Sequence, residues 1–184
     1  MKLRLSSILV LLLAANSFIY AQKTYQVNTN GSEVIIEGTS NIHDWEMNVD
    51  KEDINSEIEI VEGSENEIKS VTFKVPVKSL KSGKGRMDKN TYEALKADDH
   101  NSINFESTSI KKVNGKLYAV GNLTIAGTTK SIEIPLDFNK SQQGISLAIS
   151  YKINMLDYNV EPPTAMFGTI TTGESVVVKI NLIY

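Results

Sequence analysis

The sequence predicts an all-β domain of about eight antiparallel strands with one short helix. Three observations carry this reading: apolar residues alternate with polar ones in segment after segment, glycine-containing turns separate the segments, and a single stretch breaks the period. A period of two with one apolar face belongs to antiparallel sheet, because successive strand side chains point to opposite faces.

The alternation is clearest from the middle of the chain onward. Val71, Phe73, Val75 and Val77 share one face, and Thr72, Lys74, Pro76 and Lys78 share the other. The pattern returns in Leu117, Ala119, Gly121, Leu123 and Ile125, then in Ile132, Ile134, Leu136 and Phe138. It returns again in Ile145, Leu147, Ile149, Tyr151 and Ile153, and in Val176, Val178, Ile180 and Leu182. Earlier strands are expected around residues 32–37, 42–50 and 56–62, with another at 103–110. Asn30-Gly31, Asn114-Gly115 and Ala126-Gly127 read as turns. Pro76 has no N–H to donate, so its position should face solvent, a bulge or a sheet edge. Residues 87–100, MDKNTYEALKADDH, break the period. There Asn90 is the expected N-cap, Glu93 takes the capping-box position, and Tyr92 and Leu95 share a face. So short a helix needs an apolar surface to pack on. Many strands and one helix can bury their apolar faces as a sandwich or as a barrel, and alternation does not distinguish the two.

The first 22 residues stand apart. Lys2 and Arg4 precede the apolar run ILVLLLAA at 8–15, and Ala21 offers a cleavage edge, which together read as a signal peptide. The run is too short to span a bilayer. The expected destination is the periplasm or the external medium, with residues 23–184 as one domain. The chain has no cysteine, so its core must hold it without disulfides. Without Lys2 and Arg4, 17 basic residues face 22 acidic ones, a formal charge of -5. That balance argues against nucleic acid, whose phosphates require concentrated positive charge.

The stretch GTSNIHDWEMNV, residues 38–49, sets His43, Asp44 and the single tryptophan, Trp45, side by side. In a regular strand, adjacent His43 and Asp44 would point to opposite faces. The other histidine, His100, follows Asp98 and Asp99 and reads as a residue of the helix-to-strand loop. No compact ligand spacing for a metal is present, no GxSxG nucleophile turn, and no phosphate-binding glycine loop, since SGKGR lacks the spacing. An enzyme is therefore not expected, nor a cofactor. Trp45 reads either as a residue closing a barrel end or as pocket lining, its indole N–H bonded to backbone in both cases. Phe105, Phe138 and Met155 are core or pocket. Pro162-Pro163 imposes an extended bend before AMFG, where Met155, Met166 and Phe167 read either as a pocket rim or as a two-stranded corner packed onto the barrel.

Taken in order, these motifs resemble the YceI-like family. The resemblance rests on GTSNIHDW (38–45), FKVPVKSLKSGKGRMDKNTYEALKADDHNSINFEST (73–108), GNLTIAGTTKSIEIPL (121–136) and MLDYNVEPPTAMFGTITTGESVVVKINL (155–182), which cover nearly all of the expected mature chain. It implies a lipocalin-like, extended antiparallel barrel with a helix packed near it, holding a polyisoprenoid, an isoprenoid quinone or a fatty-acid-like chain for transport, storage or sequestration. The resemblance implies ligand contact for His43 and Trp45 in the first signature, Phe73 and Val75 before the crossing segment, Phe105 after it, and Leu123, Ile125 and Leu136 on the later wall. Tyr92 and Leu95 would cover an opening, and Met155 and Phe167 flank the C-terminal bend. The alternative is a structural or protein-interaction barrel with a filled interior. A transient membrane contact and a homodimer stay open as partners.

Overall fold

The computed structural model describes residues 21–63 and 67–184. All but the last two residues of the expected signal peptide lie outside that range. Among the described residues there are twelve strands: β1 (Gln22–Gln26), β2 (Glu33–Ser40), β3 (Trp45–Val49), β4 (Asn55–Val61), β5 (Ile68–Pro76), β6 (Leu80–Lys81), β7 (Ser102–Val113), β8 (Lys116–Ile125), β9 (Thr128–Ser141), β10 (Gly144–Asn154), β11 (Thr164–Ala165) and β12 (Ile170–Ile183). The same residues hold one α-helix, α1, at Gly85–Ala94. The all-β antiparallel barrel is as expected, and the strand count is larger. The additional strands carry no alternation to read: β1 has a nearly uniformly exposed pattern, while β6 and β11 are two residues each.

The strands form one antiparallel sheet in the order β1-β4-β5-β7-β8-β9-β10-β12-β2-β3-β6, with β11 paired to β12. Its curvature has identifiable sources. β9 pairs with β8 through Thr128–Leu136 and with β10 through Asp137–Ser141, so one long strand serves both halves of the sheet and carries the bend between them. Bulges lie between Ser107 and Ser109 in β7 and between Thr172 and Val176 in β12, and a bulge bends its strand and increases local twist. The sheet thereby curls into a half-barrel.

What draws its edges together is the chain itself. β5 ends at Pro76, the exposed last residue of the strand, and passes through a 3-10 turn, Val77–Ser79, into β6, which pairs with β3 at the opposite end of the strand order. The Asp50 N–H donates to the Ser79 carbonyl at 2.9 Å beside this junction. At the base of the barrel, Asn28 N–H donates to Ile183 O at 2.7 Å and Val27 N–H to Ser56 O at 2.9 Å. Two buried serines complete this closure. Ser32 Oγ donates to Asn28 O and accepts from Ile183 N, while Ser56 Oγ donates to Thr72 O at 2.6 Å and shares a 2.7 Å bond with Tyr184 Oη. Each buried hydroxyl is therefore paired, which removes the penalty of burying it alone. Ile58, Ile60 and Leu147, all wholly inaccessible, fill the core.

Helix α1 begins earlier than the sequence suggests. Asp88, not Asn90, anchors its first turn: the Asp88 carboxylate accepts from Ser82 N–H at 2.8 Å and from Ser82 Oγ at 2.5 Å. Desolvation works to raise the Asp88 pKa, but these two bonds and nearby Lys81 outweigh it and hold the carboxyl below its ordinary value. At the other end, Lys96 N–H bonds to Glu93 O and Ala97 N–H to Tyr92 O, with Lys96 at φ 52°. This is a Schellman ending with lysine at the position that glycine usually takes. His100 follows in the loop, as expected, and its ring lies against the Ala126-Gly127 turn, where a Cβ on Gly127 would collide with it.

A candidate ligand cavity

The half-barrel encloses a cavity of about 490 Å³, within the range of about 300–1,000 Å³ usual for small-molecule sites. One wall comes from β5, β7, β8 and β9: Val71, Phe73, Val75, Ile103, Phe105, Leu123, Ile125, Ile134 and Leu136. Every one of these is a hydrocarbon side chain. The facing wall comes from β10, β12, β2 and β3, with Ile149, Tyr151, Ile153, Val178, Ile36, Trp45 and Met47 among its residues. Alternation explains both walls, since residues two apart on a strand face the same side.

Helix α1 supplies the third side. Met87, Asn90, Thr91, Ala94 and Leu95 line the cavity, and their spacing of three, one, three and one is a single helical stripe. Thr91 Oγ1 lies 3.4 Å from Met47 Sδ across the space between helix and sheet. Tyr92 falls off this stripe and is absent from the lining, contrary to the expectation that it covers an opening. Its hydroxyl is placed between the carbonyls of Leu80, at 2.8 Å, and Lys78, at 3.1 Å, and accepts from Lys81 Nζ at 3.0 Å. That hydrogen bond is the main reason the Lys81 pKa stands above its ordinary value. Tyr92 thus fixes the helix to the β5–β6 junction.

Ten of the twelve residues expected to contact a ligand line the cavity: His43, Trp45, Phe73, Val75, Leu95, Phe105, Leu123, Ile125, Leu136 and Met155. Phe167 joins Tyr92 as the second exception, being wholly exposed and outside the lining. His43 and Asp44 sit in the loop between β2 and β3 rather than inside a strand. Ser40 shapes that loop, its hydroxyl donating to His43 O at 2.6 Å and accepting from His43 N–H at 3.1 Å. His43 Nδ1 lies 2.8 Å from the Asp44 carbonyl, which can only accept, so the proton belongs on Nδ1. Trp45 combines its two readings: it lines the cavity while its indole N–H donates to Thr39 O at 2.9 Å. Gly38, its cross-strand partner, makes this packing feasible, since a Cβ there would collide with the indole.

Polar groups are sparse and unevenly placed. Among the described residues, no aspartate or glutamate lines the cavity. The lining residues that are also exposed are Ile42, His43, Lys84, Arg86, Thr164 and Met166, which marks them as the mouth. Sequence reasoning met Lys84 and Arg86 only within SGKGR, which lacks the spacing of a phosphate-binding loop. Their place on the cavity depends on where β6 delivers the chain, which no local signal encodes. Tyr158, also lining, is buried, and desolvation, aided by Tyr151 and Asp157, pushes its phenol up to about 12. Among the described residues, no group of three His, Cys, Asp or Glu side chains is placed to hold a metal ion.

The family model described as YceI-like domain matches residues 25–184. The chain belongs to this family. Solved structures similar to this YceI-like chain include BcnA from Burkholderia cenocepacia, with a TM-score of 0.73 and 17% identity over 86% of this chain and 99% of that one. A polyisoprenoid binding domain from Saccharophagus degradans, implicated in plant cell wall breakdown, aligns at a TM-score of 0.62 and 11% identity, covering 90% of this chain and 98% of that one. The YCEI protein of Campylobacter jejuni gives 0.58 and 19%, over 72% and 80% respectively. At such identities these YceI-like likenesses speak for the fold. No match was found among curated proteins.

Proposed function

We propose that the protein binds one long apolar molecule in its cavity, an isoprenoid or fatty-acid-like chain, and carries or sequesters it outside the cytoplasm without breaking any bond. The observation that carries this reading is the cavity itself, walled mainly by apolar side chains and, among the described residues, lined by no carboxylate. A filled barrel would serve the alternative structural role, and the open volume of about 490 Å³ favours the carrier. The polyisoprenoid-binding description of the Saccharophagus degradans domain supports the same ligand class. The basic, then apolar N-terminal segment supports export.

The energetics suit such a ligand. Each buried CH₂-sized group contributes about 0.8 kcal/mol, so a few isoprene units offset the cost of ordering the chain without many directed polar contacts. The reading is tested by purifying the exported chain from its native cell and analysing a denatured extract by mass spectrometry. A near-equimolar isoprenoid, quinone or long-chain lipid is the expected result. Reproducible absence of such a molecule, together with failure to load isoprenoid alcohols or fatty acids in solution, would overturn it.

A further inference from the structure

We propose that the mouth of the cavity docks onto the surface of an anionic lipid bilayer, with Phe167 inserting among the lipids and Lys84 and Arg86 contacting their headgroups. The inference rests on the carrier reading and names the partner with which the cavity exchanges its cargo.

Three of the exposed large apolar side chains, Ile42, Met166 and Phe167, belong to two neighbouring loops, and Phe167 is fully open to solvent. Hydrogen bonds from Asn41 join the loops: its N–H donates to Thr171 O at 3.1 Å, its Nδ2 donates to Thr169 O at 2.9 Å, and its Oδ1 accepts from Thr171 N–H at 3.0 Å. Ile42 next to Asn41, and Met166 and Phe167 just before Thr169, are therefore held by one bonded unit.

The second loop keeps an unusual backbone. Met166, Phe167 and Gly168 have successive φ values of 51°, 57° and 87°, a left-handed course that bulky side chains seldom adopt. Gly168 N–H bonds to Ala165 O, and both the N–H and Oγ1 of Thr169 bond to Met166 O. The turn thus maintains two large apolar residues in water, one of them at the rim of the cavity and the other outside it. Neither the core nor the cavity explains Phe167.

Charge selects the partner. Lys84 and Arg86 are exposed on the same cavity, and among the described residues no carboxylate lines it, although the chain as a whole carries a formal charge of -3. Their location follows from register: β6 runs antiparallel to β3, with Leu80 opposite Val49 and Lys81 opposite Asn48, so the chain beyond Lys81 heads toward the Trp45 end and the Ile42 loop. Exposed apolar side chains beside cations match an anionic bilayer surface, whose headgroups take the charges while its acyl region takes the apolar tip. Continuity between mouth and cavity gives a hydrocarbon tail a route that avoids water.

The test is flotation of the mature chain with vesicles of phosphatidylglycerol and phosphatidylethanolamine, compared with phosphatidylcholine alone, at rising salt. Binding to the anionic vesicles that weakens with salt is expected. Phe167→Ser should lower partitioning about ten-fold, and the pair Lys84→Gln with Arg86→Gln should lower it on the order of ten-fold on anionic vesicles alone. Val113→Ser, an exposed apolar residue at the β7–β8 turn, should leave it unchanged. Loading is followed separately with cis-parinaric acid in vesicle-free solution, where F167S should match the parent chain. Absence of vesicle binding by a chain that loads the probe overturns the docking face and leaves the carrier reading intact, pointing to a protein acceptor. Vesicle binding by a chain that never loads the probe overturns the carrier reading instead. Binding unaffected by F167S or by the charge substitutions overturns the assignment of those residues.

Discussion

The base and the mouth of this barrel use the same apolar alphabet to opposite ends. At the base Ile58, Ile60 and Leu147 are fully inaccessible, and the strand ends are joined through Ser32, Ser56 and Tyr184. At the mouth Ile42 and Met166 are more than half exposed, beside Lys84 and Arg86. The contrast shows that hydrophobicity alone does not make a core. A side chain contributes to stability where its neighbours close around it, and it is available to a ligand where they do not.

The largest effect should come from the base. Leu147→Ala removes atoms from a packed site, and a loss of about 2–5 kcal/mol is expected in urea unfolding. A loss below about 1 kcal/mol would mean that the base is as loosely packed as the cavity wall. Next comes Gly38→Val, which drives the Trp45 indole from its place and costs about 1–3 kcal/mol; tryptophan fluorescence should shift with it. Within the cavity, Leu123→Trp fills space that a ligand needs. Its effect should fall on affinity, a loss of at least about ten-fold for a long-chain probe, with the thermal midpoint little changed.

Alkaline pH acts on both regions through one tyrosine in each. Burial, only partly opposed by the hydrogen bond shared with Ser56, pushes the Tyr184 phenol up to about 12, and Tyr158 is pushed to about 12 as well. An unfolded chain releases these protons from its ordinary value of 10.0 upward. The folded-state pKa values are raised, so the stabilisation is complete below that pH and is lost as pH climbs toward 12. Tyr184→Phe should flatten this decline and cost about 1 kcal/mol at neutral pH, since Ser56 retains its bond to Thr72 O. The smallest effect is Phe167→Ser, expected within about 0.5 kcal/mol of the parent because the ring is wholly exposed. A large loss there would show that the ring packs against the protein.

Local pattern made the longer strands legible because a period of two has only one structural reading. Ligand contact for Phe73, Val75, Phe105, Leu123, Ile125 and Leu136 was what the family resemblance implied, and all six line the cavity because the inward face of a strand in a curled sheet is the face that lines the space. Tyr92 was misplaced for a reason that periodicity does not contain. The helix starts at Gly85, anchored by Asp88 on Ser82, and its rotation is set by the Tyr92 hydroxyl on the β5–β6 junction. The bend carrying Phe167 was visible in Pro162-Pro163, but its left-handed course was not.

By itself the sequence determined the all-β class, the phase of the long strands, the position of most turns and the apolar character of the interior, because each depends on neighbours two to four residues away. Tertiary structure decided that the edges meet through β6, that α1 presents Met87, Ala94 and Leu95 to the cavity, and that Lys84 and Arg86 stand at its mouth. Whether inward side chains meet or leave a cavity depends on the curvature of the whole sheet. That curvature is set by β9 shared between two halves and by bulges in β7 and β12, through pairings between residues far apart in the chain.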